Sequence, residues 1–439
     1  MKKTIITLLS AICLQSTFAQ DILTLEKAIE LTLEKNYDIK ISKNNEEIAK
    51  NNKAVLNSGY LPNVTLNAGG NYGIRDNAVT LTDGRVFEID EINSVGYNAS
   101  INLNYVLFNG LGRVYNLKKF KEQHHLSELQ TKFVIENTLY QVYAQYYIVA
   151  QQYQTIKNLK ETLKTSSNRL KRATYGFDYG QNSKLEILNA EVDYNNDSIN
   201  LLNTQVQLDN AKKNLNQLMG VAIDYDFIAE TNITFSSNLN LDALQTKAVE
   251  NNTLLNQAEK NILLNEFDIK IARSKWLPQL NLAGSYNFNN TNNDANSGFN
   301  SPLAANFNNI HGPSAQINLT WSLFDGGKTA TNIQNAKINV QNRTAELELQ
   351  TQKIARDVSV AWYKYKNALE IINIQTSNLE TNKSNFLRTE EKYKSGQINS
   401  INFRQAQLNL LNAENQLNIA KFNAKSIEMN LLFLSGAIL

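Results

Sequence analysis

The chain is largely its own template. Leu61-Pro62 returns as Leu277-Pro278, 216 residues on (277 minus 61), and the same offset carries Ile101-Asn102-Leu103 onto Ile317-Asn318-Leu319. It also carries Leu107-Phe108 onto Leu323-Phe324, Gly180-Gln181 onto Gly396-Gln397 and Gly220 onto Gly436, with no gap. A two-copy repeat of this length is a fold-level constraint: whatever one half folds into, the other must approximate.

Each copy mixes two periodicities. Val95, Tyr97, Ala99, Ile101, Leu103, Tyr105 and Leu107 share one parity, and Gly96, Asn98, Ser100, Asn102 and Asn104 share the other, as in a strand with one apolar and one hydrated face. Past Phe108-Asn109-Gly110 the spacing becomes helical. Val142, Tyr146, Val149, Tyr153, Ile156, Leu163 and Leu170 form a coiled-coil seam, matched in the second copy by Val358, Trp362, Tyr365, Leu369, Ile372, Leu379 and Phe386. A helix over about 111–172 would extend roughly 90 Å at about 1.5 Å per residue, far more than a compact domain uses.

The first copy, 20–220, is therefore predicted to hold strands at about 62–75 and 94–108, a long helix at about 111–172 and a return helix at 183–219 ended by Gly220. Its polar stretch 75–93 reads as a surface loop. The second, 241–439, repeats this with strands at about 278–289 and 314–324, helices at about 327–389 and 400–435, and an Asn-rich loop over 289–313. Residues 221–240 lack a clear period and join the copies.

Residues 1–19 read as a secretory signal: Lys2 and Lys3, an apolar run from Ile5 to Leu14, then Thr17-Phe18-Ala19. Its removal leaves a formal net charge of 0 (+2 less 2), which does not suggest nucleic acid as a partner. The only cysteine, Cys13, lies inside it, so the mature chain forms no disulfide or thiolate metal site. Beyond the signal no run of about 20 apolar residues occurs, which excludes a spanning helix on hydropathy but not a strand barrel, whose segments need about 9–11 residues.

Four two-faced strands cannot close a barrel, and an open edge in lipid leaves peptide groups unsatisfied at several kcal/mol each. Three chains sharing one 12-stranded barrel is the simplest closed solution. Tyr60 and Trp276 precede the first strand of each copy, and Tyr105, Phe108, Trp321 and Phe324 end the second, so these aromatics mark one membrane interface. The helices leave on that side, and the two polar loops face outward.

The duplicated Leu-Pro strand starts, the Leu-Phe-Asn/Asp-Gly junctions and the Tyr393-Lys394-Ser395-Gly396 turn resemble the TolC family of outer-membrane efflux proteins across essentially the whole mature chain. The resemblance implies a homotrimer in the outer membrane of a Gram-negative bacterium, its membrane β-barrel continued by a periplasmic α-helical barrel. It further implies a periplasmic adaptor (membrane fusion protein) and an inner-membrane transporter of RND or ABC type, for drug efflux or type I secretion. The adaptor would meet the turns at Gly180, Gln181, Gly396 and Gln397.

In this family the closed mouth is held by a turn tyrosine, a nearby arginine and an aspartate of a neighbouring helix. Tyr393 matches the tyrosine and Glu186 stands at the aspartate, but Ile398 replaces the arginine, and Asn402 and Gln405 stand where further aspartates are usual. With Phe177 these are the gate candidates, and an Ile398 ring would narrow the mouth by dewetting. No catalytic constellation is present: His124 and His125 point about 100° apart on a helix, His311 falls in a predicted loop, and the carboxylates are dispersed. No enzyme activity, cofactor or metal is expected. The competing reading is a secreted coiled-coil structural or adhesive protein whose short strands are only caps.

Overall fold

The computed structural model describes residues 22–57, 59–236, 239–295 and 309–438. In chain order the elements are β1 (Ile22–Leu23), α1 (Leu25–Lys35), α2 (Tyr37–Asn52), β2 (Asn63–Thr80), β3 (Val86–Asn109), α3 (Gly112–Asp178) and α4 (Lys184–Met219). There follow β4 (Ile228–Ala229), α5 (Leu241–Asn251), α6 (Thr253–Ser274), β5 (Gln279–Ala295), β6 (Asn309–Thr320), α7 (Lys328–Lys394) and α8 (Ser400–Leu434). Adding 216 to both ends of α1 and α3 gives the ends of α5 and α7, and α2, β2 and α4 start 216 residues before α6, β5 and α8. The segment read as a signal, 1–19, lies outside the described residues.

The chain divides into two compact units. One is helical, formed by Glu128–Gln257, Leu347–Leu439 and the described residues before Glu46. The anticipated seams carry its cores: Val142, Tyr146 and Val149 pack with Leu23, Leu215, Met219 and Phe227, while Val358 and Tyr365 pack with Leu244, Ala248, Ile354 and Leu431. Burial pushes the Tyr146 hydroxyl up to about 12. That hydroxyl donates to Leu23 O at 2.8 Å and accepts from Glu230 N at 3.1 Å, bracketing the parallel pair of β1 and β4, in which Ile22 faces Ile228. Sequence periodicity gave no sign of this two-residue ladder.

Paired devices recur at the repeat offset. The Thr24 side chain caps α1 and that of Asn240 caps α5. Asn36, just past α1, donates from Nδ2 to Leu218 O at 2.7 Å; Asn252, just past α5, donates to Leu434 O at 2.9 Å. Each amide thus ties the C-terminal turn of a return helix to the corner of a helix pair. Gly220 and Gly436 follow those turns at φ +69° and +67°, and a Cβ on them would lie 2.4 Å from Lys35 O and 2.8 Å from Asn251 C. Only glycine satisfies both the left-handed backbone and that approach.

The other unit, Glu46–Ser127 and Ala258–Glu346, contains the four-stranded antiparallel sheet, ordered β2-β3-β5-β6. Pairing keeps the two faces distinct: Val64 faces Leu103, Leu66 faces Ile101 and Leu282 faces Ile317, while Thr65 faces Asn102 and Ser285 faces Ser314. β3 and β5, from different copies, join with Ile101 against Tyr286 and Asn102 against Ser285. These strands are not the short caps of the competing reading.

Several expected bounds shift. The stretch 75–93 is mostly ladder, β2 continuing to Thr80 and β3 starting at Val86, with a bulge between Arg75 and Asn77 where Asp76 Oδ1 accepts from Glu91 N at 2.8 Å. Polar composition suggested a loop, but the ladder is held by backbone hydrogen bonds, which need no apolar alternation. Likewise β5 reaches Ala295 and β6 starts at Asn309, which places His311 on β6 opposite Phe288. β6 ends at Thr320, so Trp321, Leu323 and Phe324 fall beyond it as the chain turns into the Asp325 cap, whose carboxylate accepts from Gly327 N and Thr329 N. Helices α3 and α7 run to Asp178 and Lys394, past the expected 172 and 389, which makes both turns tighter.

Candidate functional site

Two places concentrate the candidate residues: the end of the sheet where strands meet helices, and the two helical turns. At the first, β2 starts, β3 ends, β5 starts and β6 ends, so their flanking aromatics share one edge of the sheet. Arg113 organises it. Its guanidinium lies over the rings of Tyr60 (4.9 Å) and Tyr105 (5.7 Å) and donates to Gly59 O and Leu107 O. Trp321 Nε1 donates to Trp276 O at 3.0 Å, and both indoles and Phe324 are more than half exposed, whereas Phe108 is 37% exposed. Exposed rings with one polar tether suit a boundary between hydrocarbon and water.

At the turns, Gly180 and Gly396 take φ of +73° and +74°, and Gln181 and Gln397 follow them, exposed. Tyr393 stacks on Phe403 with ring centroids 4.6 Å apart and planes 10° apart, while the Arg172 guanidinium covers it at 5.0 Å and donates to Lys394 O at 2.7 Å. An arginine therefore does reach the turn tyrosine, from α3 and not from position 398. Among the described residues no hydrogen bond joins Tyr393 to Glu186, which sits in the first turn of α4. Ile398 lies in the turn itself, half-buried, Asn402 N is capped by Asn399 Oδ1, and Gln405 bonds Asn409 at 2.9 Å. Phe177 lies under Lys184 Nζ at 5.8 Å.

Sequence reasoning missed the densest polar contact of this region, a buried cluster from α3, α4 and α8. Arg404 grips Asp197 with Nη1 to Oδ2 and Nη2 to Oδ1, each 2.7 Å, while Arg169 pairs with Asp193 and Ser166 donates to Asp197. Gln407 Nε2 donates to Thr162 O and Ser166 Oγ, both at 3.0 Å. Arg169 and Asp197 are 2% and 1% exposed. Arg169 Nε and Nη1 and Arg404 Nε have no hydrogen-bond partner, so the cluster is balanced in charge but short of acceptors. The available signal was spacing: Ser166/Arg169, Asp193/Asp197 and Arg404/Gln407 each recur at i+3 or i+4 on one helix face. Of the histidines, His124 has its ring nitrogens 3.1 and 3.4 Å from Lys53 Nζ. In place of the divergence expected of adjacent helix positions, His124, His125 and Glu128 bring one ligand atom each within 4.8 Å of one another.

The geometry offers a two-faced sheet with aromatics at one end and long helices, and known proteins share the fold. The structure of the Campylobacter jejuni CmeC outer membrane channel is similar at TM-score 0.77 and 17% identity, over 94% of this chain and 86% of that one. That of VceC from Vibrio cholerae gives 0.72 and 14%, over 94% and 96%. In sequence, the outer membrane protein TolC of Salmonella enteritidis is 23% identical over 275 residues, 62% of this chain. The chain spans about half the length of the curated relatives it matches, 55% for this one. The family profile described as outer membrane efflux protein matches residues 28–221 and again 244–437, two stretches offset by the same 216 residues that relate the helices. The chain belongs to the outer membrane efflux protein family.

Proposed function

We propose that three copies of this chain form one closed 12-stranded barrel in the outer membrane, continued by a helical barrel in the periplasm, and that the assembly is a passive exit duct. The observation that carries this reading is the sheet's pair of edges. β2 and β6 have no outer ladder partner among the described residues, yet both alternate apolar and polar side chains. Because β2 and β6 run in opposite directions, β6 of one copy pairs antiparallel with β2 of the next, and threefold repetition removes every edge. A helical counterpart supports it: Leu185, Leu188, Val192, Ile199, Leu202 and Val206 of α4 repeat at heptad spacing and are each 47–64% exposed, an apolar seam suited to a neighbouring copy.

The duct itself performs no chemistry; energy comes from an inner-membrane transporter, of RND or ABC type, through an adaptor that meets the exposed turns at Gly180-Gln181 and Gly396-Gln397. Tyr393, Phe177, Glu186, Ile398, Asn402 and Gln405 rim the periplasmic mouth, and the buried Arg404–Asp197 pair behind them resists its widening. Light scattering of the detergent-purified chain is expected to give three chains per particle, and planar bilayers to record ion-conducting steps. A monomer that stays in solution without detergent and passes no ions would overturn the proposal.

A further inference from the structure

The hydrated face of the sheet has an unusual composition for a surface meant to be wet. Residues 63–73, 94–104, 281–291 and 310–318 contain no Asp, Glu, Lys or Arg on either face. What hydrates the polar face is amide and hydroxyl: Thr65, Asn67, Asn102, Asn104, Ser285 and Gln316 line one hollow. These groups are bonded to each other, Asn102 Nδ2 to Ser100 Oγ at 3.0 Å, Ser285 to Ser314 at 2.7 Å, Asn287 Nδ2 to Ser285 Oγ at 2.8 Å and Gln316 Nε2 to Asn318 Oδ1 at 2.6 Å. The only histidine of these segments, His311, is registered against Phe288 on the opposite face. Formal charge returns at Arg75 and Asp76 toward the hairpin and at Arg113 beyond β3.

We infer that this face forms a charge-free sleeve that admits anionic, neutral and cationic polar solutes alike, sorting them by size and hydrogen-bonding capacity and not by the sign of their charge. The inference rests on the channel reading proposed above. Selection by charge in a pore comes from rings of ionised side chains. Amides and hydroxyls donate and accept with equal ease, so they solvate a carboxylate, an ammonium or a sugar hydroxyl without preference of sign. Any charge filter of the whole duct therefore belongs to its helical part.

The test is to charge the sleeve. The full chain is reconstituted in planar bilayers under a potassium chloride gradient near 0.1 M, and the ratio of potassium to chloride permeability is read from the reversal potential. Asn102→Asp should raise that ratio about threefold, the scale of three carboxylates acting through about 10 Å of screened water, and Asn102→Lys should lower it by a similar factor. Ser285→Asp, registered against Asn102, should act like Asn102→Asp and stands in if that variant misfolds. Opposite, comparable shifts support a sleeve that starts neutral. Conducting variants with an unchanged ratio, or a response to one sign only, would overturn it. Loss of all conductance in the native chain would instead strike at the channel reading, and this inference would go with it.

Discussion

The first and second copies of the repeat share the lengths of their two longest helices to within a residue, 67 against 67 and 36 against 35, yet they bury different chemistry. Near the first turn lie Ser166, Arg169, Asp193 and Asp197; their counterparts 216 residues on are Asn382, Asn385, Asn409 and Ala413. Arg404 and Gln407 of the second copy answer to Leu188 and Glu191 of the first. Duplication preserved what sets length and direction: caps, corner asparagines and left-handed glycines. It did not preserve the buried charges, which are assembled from both copies and are not repeated at the counterpart positions among the described residues. The backbone plan is thus common to both copies, and the asymmetry near the turns lies in side chains alone.

The sharpest way to break this comparison is to give one copy the other's residues. Arg404→Leu alone strands Asp197 in a buried site and should cost about 3–5 kcal/mol. Adding Asp197→Ala, the residue its counterpart already has, should recover most of that loss. Thermal unfolding in detergent measures both, and single-channel recording of the double variant should show a larger or longer-lived open state. Equal losses in the single and double variants would mean that the pair's geometry, and not its charge balance, is what the helices need.

A second comparison sets equivalent lipid-face positions side by side. Leu103 and Leu319 are related by the repeat offset, and both lie on the apolar parity of the sheet. Leu103→Arg should cost about 2–4 kcal/mol near mid-membrane. Leu319→Arg should cost only about 0–1 kcal/mol, because its partner Leu280 also faces Phe108 of the aromatic interface. Asn102→Arg on the hydrated face should be far milder than Leu103→Arg. Unfolding of the protein in bilayers reads the difference, and equal costs on both faces would mean that the assignment of inside and outside is wrong.

These positions also show where sequence alone carried and where it failed. Alternation along 95–107 and the heptads of α3 and α7 were legible because both are local, set by which neighbours a side chain shares within one or two turns. Strand lengths were not, because the backbone pairing of β2 and β3 continues through 75–93, where charged residues interrupt the apolar alternation. The dispersed carboxylates concealed Asp193 and Asp197, since burial of a charge depends on partners far along the chain, Arg404 standing 207 residues from Asp197. Asn36 and Asn252 were hidden differently. They sit at the repeat offset, but asparagine is so common in this chain that a matched pair drew no notice.

That pair gives the third prediction. Asn36→Ala and Asn252→Ala each leave a half-buried carbonyl, Leu218 O or Leu434 O, without its amide donor, at about 1 kcal/mol. Equal losses in thermal midpoint, adding in the double variant, are expected of two independent copies of one corner. A deficit confined to one variant would show that the copies have diverged here too.

The smallest effect probes a position where only the second copy carries charge. Glu414 corresponds to Ser198, and its carboxyl is held above the usual carboxylate value of 4.5 by burial, with Glu161 pushing it further and Lys383 pulling it back. A raised pKa in the folded state means that the folded chain holds this proton more tightly than the unfolded one. Stability is therefore fullest below the unfolded value, falls as pH climbs through the raised folded value, and stays lower above it. Glu414→Gln removes the titration, so it should raise the thermal midpoint slightly at pH 7 and leave it unchanged at pH 4. A gain that persists at pH 4 would trace to altered packing, because the glutamate is already protonated there.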